Sequence, residues 1–203
     1  KIYKKGEAWM SLAPADYDFG NASNYSFATT ITCGNDDARK MFAEAFGHML
    51  NFNHEQAIAC YMKTTELDSN CAMAWWGIAY CVSSNYNWTP GLGSGFDPIQ
   101  QAISLKAGCT ELEQDLIDAL SERHSQEARD AADPSVLNMG NTPELNAAFA
   151  AAMAPLYEKY KGNLDVAAIY VEALMNLKAW QLWDKNTETG EITPADDNTL
   201  TCV

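Results

Sequence analysis

The chain has 203 residues, of which 47% are hydrophobic and 20% charged, and its formal net charge is −14. This length is enough for one sizeable domain, or for a stack of small units that share a continuous core. The acidic balance argues against nucleic acid and anionic membranes as partners. The sequence has no run of 18 apolar residues, so it predicts no membrane-spanning helix.

The chain divides into an irregular N-terminal arm and a helical domain. Residues 1–35 are rich in Tyr, Asn, Ser and Thr and predict the arm, and residues 36–203 predict the domain. Helical periodicity begins at the capping cluster Asn35-Asp36-Asp37, and Asn53 stands where it can cap the next helix. Strand signals are few, so we expect an all-α chain. The predicted helices lie at about 36–50, 53–68, 71–84, 98–107, 110–128, 142–161 and 163–179.

The C-terminal end predicts the start of one more helix. In "TPADDNTLTCV", Thr193 is expected as the N-cap and Pro194 as the first helical residue. The sequence ends before such a helix could bury a face, which predicts that this chain is part of a larger protein.

Three decamers recur in a common frame. "DARKMFAEAF" at 37–46 and "CAMAWWGIAY" at 71–80 are offset by 34 residues, and "DVAAIYVEAL" at 165–174 fits the same frame. A helix-turn-helix period of this length is the tetratricopeptide signature. The positions that coincide are Met41, Trp75 and Ile169; Phe42, Trp76 and Tyr170; and Ala45, Ala79 and Ala173.

The stretch from the first decamer to "SSNYN" resembles a family of tetratricopeptide-repeat (TPR) proteins known mostly from bacterial genomes. Its members show a similar "FNH-E-A" turn and a "D-CAMAWWG-A" helix, and the resemblance covers roughly residues 17–200. It departs at Ser69, where the repeat usually has proline, and at the glycine-rich loop at 87–98. The resemblance implies a TPR-like α-solenoid of antiparallel helix hairpins that continues past this chain's end, but no biochemical activity.

The adjacent Trp75 and Trp76 point about 100° apart on one helix, so we expect different roles for them. Trp75 is expected in the core, and Trp76 is expected on the concave side of the stack. The predicted partner-binding residues are the ring ladder Phe42, Phe46, Trp76, Tyr80 and Tyr170, with Asn85, Asn87, Trp180 and Trp183 extending it. Each of these assignments has an alternative. The N-terminal arm could fill the groove instead of a partner, Asn85 and Asn87 could only cap the helix, and Trp180 and Trp183 could pack in the core.

The cysteines allow several interpretations. Cys60 and Cys81 are expected at one height on antiparallel helices, where they form a disulfide, share a metal or remain free thiols. The metal alternative is a copper or zinc site that uses Cys60, Cys71, Cys81 and His54, with Met62 as a further soft ligand for copper. Otherwise no cofactor is expected, and Cys71 has a packing role. Loop residues Cys33, Cys109 and Cys202 could be bridged to one another, in pairings that the sequence does not fix.

Three glycosylation sequons, at Asn21, Asn24 and Asn87, slightly favour a secreted or luminal location over the cytoplasm. The sequence therefore predicts a non-catalytic protein that binds a protein or peptide as a scaffold, as a homo-oligomer or as a subunit of a larger assembly. The alternative is an extracellular or luminal protein that binds a metal or small ligand. An enzyme is least favoured, since no nucleophile, phosphate-loop or metalloprotease motif occurs.

Overall fold

The computed structural model of the protein describes residue 28, residues 30–136 and residues 138–197. This part of the chain is mostly helical, which confirms the all-α prediction. Its α-helices are α1 Asp36–Leu50, α2 His54–Leu67, α3 Ala72–Val82, α4 Phe96–Leu105, α5 Glu111–Ser121, α6 Gln126–Asp130, α7 Pro143–Lys159 and α8 Leu164–Met175. Short 3₁₀ turns lie at Lys106–Gly108, Pro134–Val136 and Asn176–Lys178.

Local capping explains where most of these helices begin. The side chain of Asn35 accepts a hydrogen bond from the Ala38 amide, and Thr110 forms a reciprocal capping box with Glu113. Thr142 caps α7 immediately before Pro143. Asn53 is an exception, because its side chain makes no capping bond to α2.

Helices that are neighbours in sequence pack against each other. α1 packs on α2, α2 on α3, α3 on α4 and α7 on α8, while α5 contacts α3, α4 and α7. One continuous apolar core runs through these contacts.

Of the two adjacent tryptophans, Trp76 is more deeply buried than Trp75, which is the opposite order to that predicted. Trp76 is 0% exposed, and its indole Nε1 donates to the Leu116 carbonyl of α5 at 3.0 Å. Trp75 is only partly buried, and its Nε1 reaches the Ser69 carbonyl at 3.4 Å. The prediction that Trp76 lies in an open groove is therefore wrong, and Trp75 packs at the edge of the core rather than inside it.

Most of the predicted ring ladder is buried as well. Phe42, Phe46, Trp76 and Tyr80 are all core residues with at most 1% of their surface exposed. Phe42 packs on Tyr61 with ring centroids 5.3 Å apart, and Tyr80 contacts α7 and α8. These four residues do not form an exposed surface, because later helices cover the side of α3 on which Trp76 and Tyr80 lie. Tyr170 is partly buried against Tyr157, with centroids 5.3 Å apart.

The C-terminal prediction is also wrong, since Thr193 and Pro194 lie in a strand. β1 Trp183–Lys185 pairs antiparallel with β2 Ile192–Pro194, and Thr193 stands opposite Asp184. The turn is held by the Asn186 side chain, which accepts hydrogen bonds from the Glu188 and Thr189 amides. Cross-strand pairing replaces the helix that Thr-Pro would otherwise begin.

The predicted arm lies largely outside the described residues. Of its described part, Ile31 is buried in the core, and Thr32 donates from its amide and hydroxyl to the Glu113 carboxylate at 2.6 and 2.7 Å. No helix within residues 30–136 or 138–197 is long and apolar enough to cross a bilayer.

Candidate functional site

A cavity of about 340 Å³ opens where α2 begins and the loop after α3 turns back. Three of its residues, His54, Asn85 and Asn87, are candidates from the sequence. The full lining is Phe52, Asn53, His54, Glu55, Asn85, Asn87, Trp88 and Leu92. Amide groups and aromatic rings therefore dominate this cavity.

Phe52 enters the lining through an unusual backbone conformation. The link between α1 and α2 is only three residues long, and Phe52 has φ 56°, in the left-handed region that bulky side chains rarely adopt. Its ring stacks on His54 with centroids 5.9 Å apart and planes 9° apart. Such strain persists only where the surroundings impose it, and it is often found at binding sites.

The opposite wall is the loop after α3, and Asn85 organises it. The Asn85 and Trp88 backbones exchange hydrogen bonds of 3.1 and 3.0 Å. The Asn85 side-chain Oδ1 accepts from the amides of Asn87 and Trp88 at 2.9 and 3.0 Å. These bonds fix the orientation of the amide group and leave its Nδ2 facing His54 Nδ1 at 3.2 Å.

His54 is a neutral imidazole in this site. Its side chain is deeply buried, and burial, followed by the positive charge of Arg123, lowers its pKa to about 4, although a contact with the Cys81 carbonyl raises it slightly. Because Asn85 Nδ2 can only donate, His54 Nδ1 must accept, so the ring proton resides on Nε2. His54 therefore contributes polarity without charge, and Glu55 is the one charged residue of the lining.

Exposed aromatic residues continue outward from the cavity. Tyr86, next to Asn85, stacks on Trp180 with centroids 5.5 Å apart and planes 22° apart. Trp180 is 71% exposed and has φ 64°, and Trp88 is 42% exposed. The structure therefore places Trp180 beside the Asn85–Asn87 loop. Trp183 is half-exposed in β1 and is not part of the cavity lining.

A buried polar cluster supports the loop from inside, and sequence reasoning missed it. Arg123 follows α5 and is buried; it donates from Nε to the Asn146 Oδ1 at 2.9 Å and from Nη2 to the Ser84 carbonyl at 2.5 Å. Its guanidinium lies 5.4 Å from the centre of the Phe149 ring. Arg123 thus ties the residue before Asn85 to α7.

The predicted metal and disulfide sites are not assembled. Of the three alternatives for Cys60 and Cys81, the structure shows two buried free thiols and not a disulfide. Burial raises the pKa of Cys60 to about 11 and that of Cys81 well above its ordinary value. Within the described part of the chain, no three His, Cys, Asp or Glu residues are grouped to hold a metal. His54 faces Asn85, so the four predicted ligands, Cys60, Cys71, Cys81 and His54, do not form a site.

Of the three predicted glycosylation sites, only Asn87 lies within the described residues. Asn87 is exposed and lines the cavity, whereas Asn21 and Asn24 lie outside the described residues, as does Cys202. The sequence did not identify five of the lining residues as part of a site: Phe52, Asn53, Glu55, Trp88 and Leu92. In the sequence, these residues lie near the short α1–α2 link or the glycine-rich loop. That position does not predict where their side chains point.

Comparison with known proteins finds no family model, no curated protein and no solved structure that matches this chain.

Proposed function

We propose that this chain is a non-catalytic binding protein, a TPR-like helical-repeat module that docks a segment of a partner protein over the cavity at the start of α2. The observation that carries the proposal is the cavity itself, with the exposed ring of Trp180 stacked on Tyr86 in the loop that forms one of its walls. The contact surface proposed here therefore lies at one end of the helices. It differs from the ring ladder predicted on the concave side, whose residues are mostly buried.

The lining suits a peptide. Phe52, Trp88 and Leu92 offer apolar surface for a side chain, and the exposed amides of Asn53 and Asn87 can each donate to and accept from a peptide backbone. The volume lies at the small end of the range for ligand pockets, roughly 300–1,000 Å³. It therefore fits one or two side chains of a bound segment better than a large cofactor.

Charge narrows the class of partner. His54 is neutral, and Glu55 is the only charged group in the lining. The chain as a whole carries −14. An anionic segment would meet no compensating cation in this lining, so we expect a neutral or basic segment, with Lys or Arg favoured beside the rings and Glu55.

The composition of the lining also favours binding over catalysis. It includes no Ser, Cys or Lys that could act as a nucleophile, and the imidazole of His54 is hydrogen-bonded to an amide rather than to a nucleophile. A scaffold role in a larger assembly, with two or more copies of this chain, would use the same surface.

The test measures binding of short random peptides with a fixed central residue, Arg in one pool and Glu in another. We expect the Arg pool to bind and to change the tryptophan emission, while the Glu pool does not. Asn87→Ala and Trp180→Ala should each weaken binding of a selected Arg peptide at least about tenfold, or about 1.4 kcal/mol. The matched control is Leu164→Ala, which removes an exposed apolar side chain at the start of α8, outside the cavity lining. Equal affinity of all three variants would overturn the proposal.

A further inference from the structure

The end of the N-terminal arm is fastened to the α2–α3 turn. The Gly34 amide donates to Asp68 Oδ2 at 2.5 Å, and the Asn35 side chain donates to the Leu67 carbonyl at 3.1 Å. On the turn itself, the Cys71 amide donates to the Asp68 carbonyl at 3.2 Å. These bonds bring Cys33 and Cys71 to the same place.

The two thiols lie close together because both residues are joined to Asp68. Cys33 precedes Gly34, whose amide donates to the Asp68 carboxylate, and the Cys71 amide donates to the Asp68 carbonyl. Both cysteines are free thiols, and the pKa of each is shifted by the other. Because these hydrogen bonds already hold the two segments together, a modest movement brings the pair to the geometry of a disulfide.

We propose that Cys33 and Cys71 are an oxidation site, at which a low-molecular-weight disulfide such as oxidised glutathione converts the pair into a disulfide bond. The sulfur of the half-buried Cys33 attacks one glutathione sulfur, forms a mixed disulfide and releases one reduced glutathione. The sulfur of Cys71 then attacks Cys33 and releases the second. The two thiol protons leave with the two glutathione thiols, so two protein thiols and one oxidised glutathione give one protein disulfide and two reduced glutathiones.

The surroundings predict a slow but selective reaction. Burial raises the pKa of Cys33 above its ordinary value, against the hydrogen bond with Cys71, so little thiolate is present at neutral pH. Burial also raises the pKa of Asp68, but hydrogen bonds from Gly34, Asn70 and Cys33 outweigh it and hold this pKa below its usual range. Asp68 is therefore ionised, and its hydrogen bond and negative charge raise the pKa of Cys33 further, which slows the reaction.

The disulfide would close a chain loop from residue 33 to residue 71, which includes α1 and α2. It would covalently join the arm to the first hairpin at a point now held by two hydrogen bonds. Since a crosslink of this length restricts the unfolded chain, the oxidised protein should be the more stable form.

The experiment incubates the folded full chain with oxidised glutathione and follows its intact mass and thermal unfolding. We expect a loss of two hydrogen atoms and an increase in Tm of about 5 °C or more, both reversed by a thiol reductant. Trypsin should then give a peptide of residues 6–39 linked to a peptide of residues 64–106. Fragmentation of that product should place the bond at Cys71 rather than Cys81.

Two variants make the test decisive. Cys33→Ser should abolish both the mass loss and the Tm increase, whereas the control Cys109→Ser, at another half-buried cysteine, should retain both. A Cys33 linked to any cysteine other than Cys71, or no linked product after the folded protein has been oxidised, would overturn the proposal.

Discussion

The Tyr80 hydroxyl on α3 donates a 2.7 Å hydrogen bond to Oε2 of Glu172 on α8, and both side chains are buried. The two residues are 92 positions apart in the sequence. Burial raises the pKa of Glu172, while the Tyr80 hydrogen bond and the charge of Arg123 lower it. The position that was expected to face a partner is thus part of the contact between α3 and α8.

Tyr80→Phe should destabilise the protein by about 1–3 kcal/mol, because it leaves a buried carboxylate oxygen without its donor. The measurement is urea unfolding at neutral pH. The matched control is Tyr160→Phe, which loses a 2.6 Å bond to Asp115 near the surface, where water replaces the donor. Equal losses in the two variants would contradict the burial of the Tyr80–Glu172 pair.

Trp76→Phe should cost about 2 kcal/mol or more, since it removes core volume and leaves the Leu116 carbonyl without its donor. Trp75→Phe should cost less than about 1 kcal/mol, because that ring is only partly buried. Chemical denaturation of both variants compares the two neighbours directly. A larger cost at Trp75 would restore the original sequence prediction.

Gly77→Ala should be strongly destabilising, by roughly 2–4 kcal/mol, because a β-carbon there would lie 2.3 Å from Tyr61 Cζ. Gly108→Ala is the matched control, since nothing lies within 4 Å of its β-carbon position. We expect that change to be neutral or stabilising by up to about 1 kcal/mol. Thermal unfolding of the two variants measures the change in Tm. A Gly77→Ala variant as stable as Gly108→Ala would argue against the close contact between α2 and α3.

The stability should fall as the pH is lowered from 7 to 5. Burial, followed by the charge of Arg123, lowers the pKa of His54 to about 4 and that of His124 to about 3, from an ordinary 6.5. Between these values the unfolded chain binds more protons than the folded protein, so the free energy of unfolding rises with pH. Each histidine should contribute about 2 kcal/mol between pH 5 and pH 7.

Glu172 acts in the opposite direction: because its pKa is raised in the folded protein, its contribution to the free energy of unfolding falls as the pH rises above its ordinary pKa of 4.5. His54→Gln should remove the contribution of one histidine, about 2 kcal/mol, from the change in unfolding free energy between pH 5 and pH 7. Gln can still accept a hydrogen bond from Asn85, but it does not titrate. Urea titrations at pH 5 and pH 7 measure this difference. An unchanged pH slope in His54→Gln would show that His54 is not buried in its neutral form.

A glycan at Asn87 and a partner segment at the cavity should exclude each other, because Asn87 lines that cavity. Expression in a glycosylating host followed by glycopeptide mass spectrometry tests for the modification. If Asn87 is glycosylated, the Arg peptides should bind only after enzymatic removal of the glycan. Equal binding with the glycan in place would contradict the location proposed for the site.

Local sequence signals were sufficient for most helices. The capping cluster Asn35-Asp36-Asp37 predicts the start of α1, and the structure begins α1 at Asp36. The predicted helix at 110–128 is instead divided into α5 and α6, because Ser125 caps a new helix through the Ala128 amide. Thr193 and Pro194 show the limit of such signals, since their pairing with β1 overrides a favourable helix start.

The candidate site was predicted only in pieces. Asn85 and Asn87 were expected beside an aromatic groove, and His54 was expected among metal ligands. The structure joins all three in one lining because the short α1–α2 link and the loop after α3 meet there. Trp180 joins them through Tyr86, a contact across almost a hundred residues that no local pattern contains.

The sequence by itself determined the helical content and the main breaks, because periodicity and capping act over a few neighbouring residues. Only the tertiary structure decided which face of α3 is buried. That choice depends on α5, α7 and α8, whose contacting residues Leu116, Phe149 and Glu172 lie between 40 and 92 positions from their α3 partners. Both tryptophans fit the same helix, and the later helices cover Trp76 rather than Trp75.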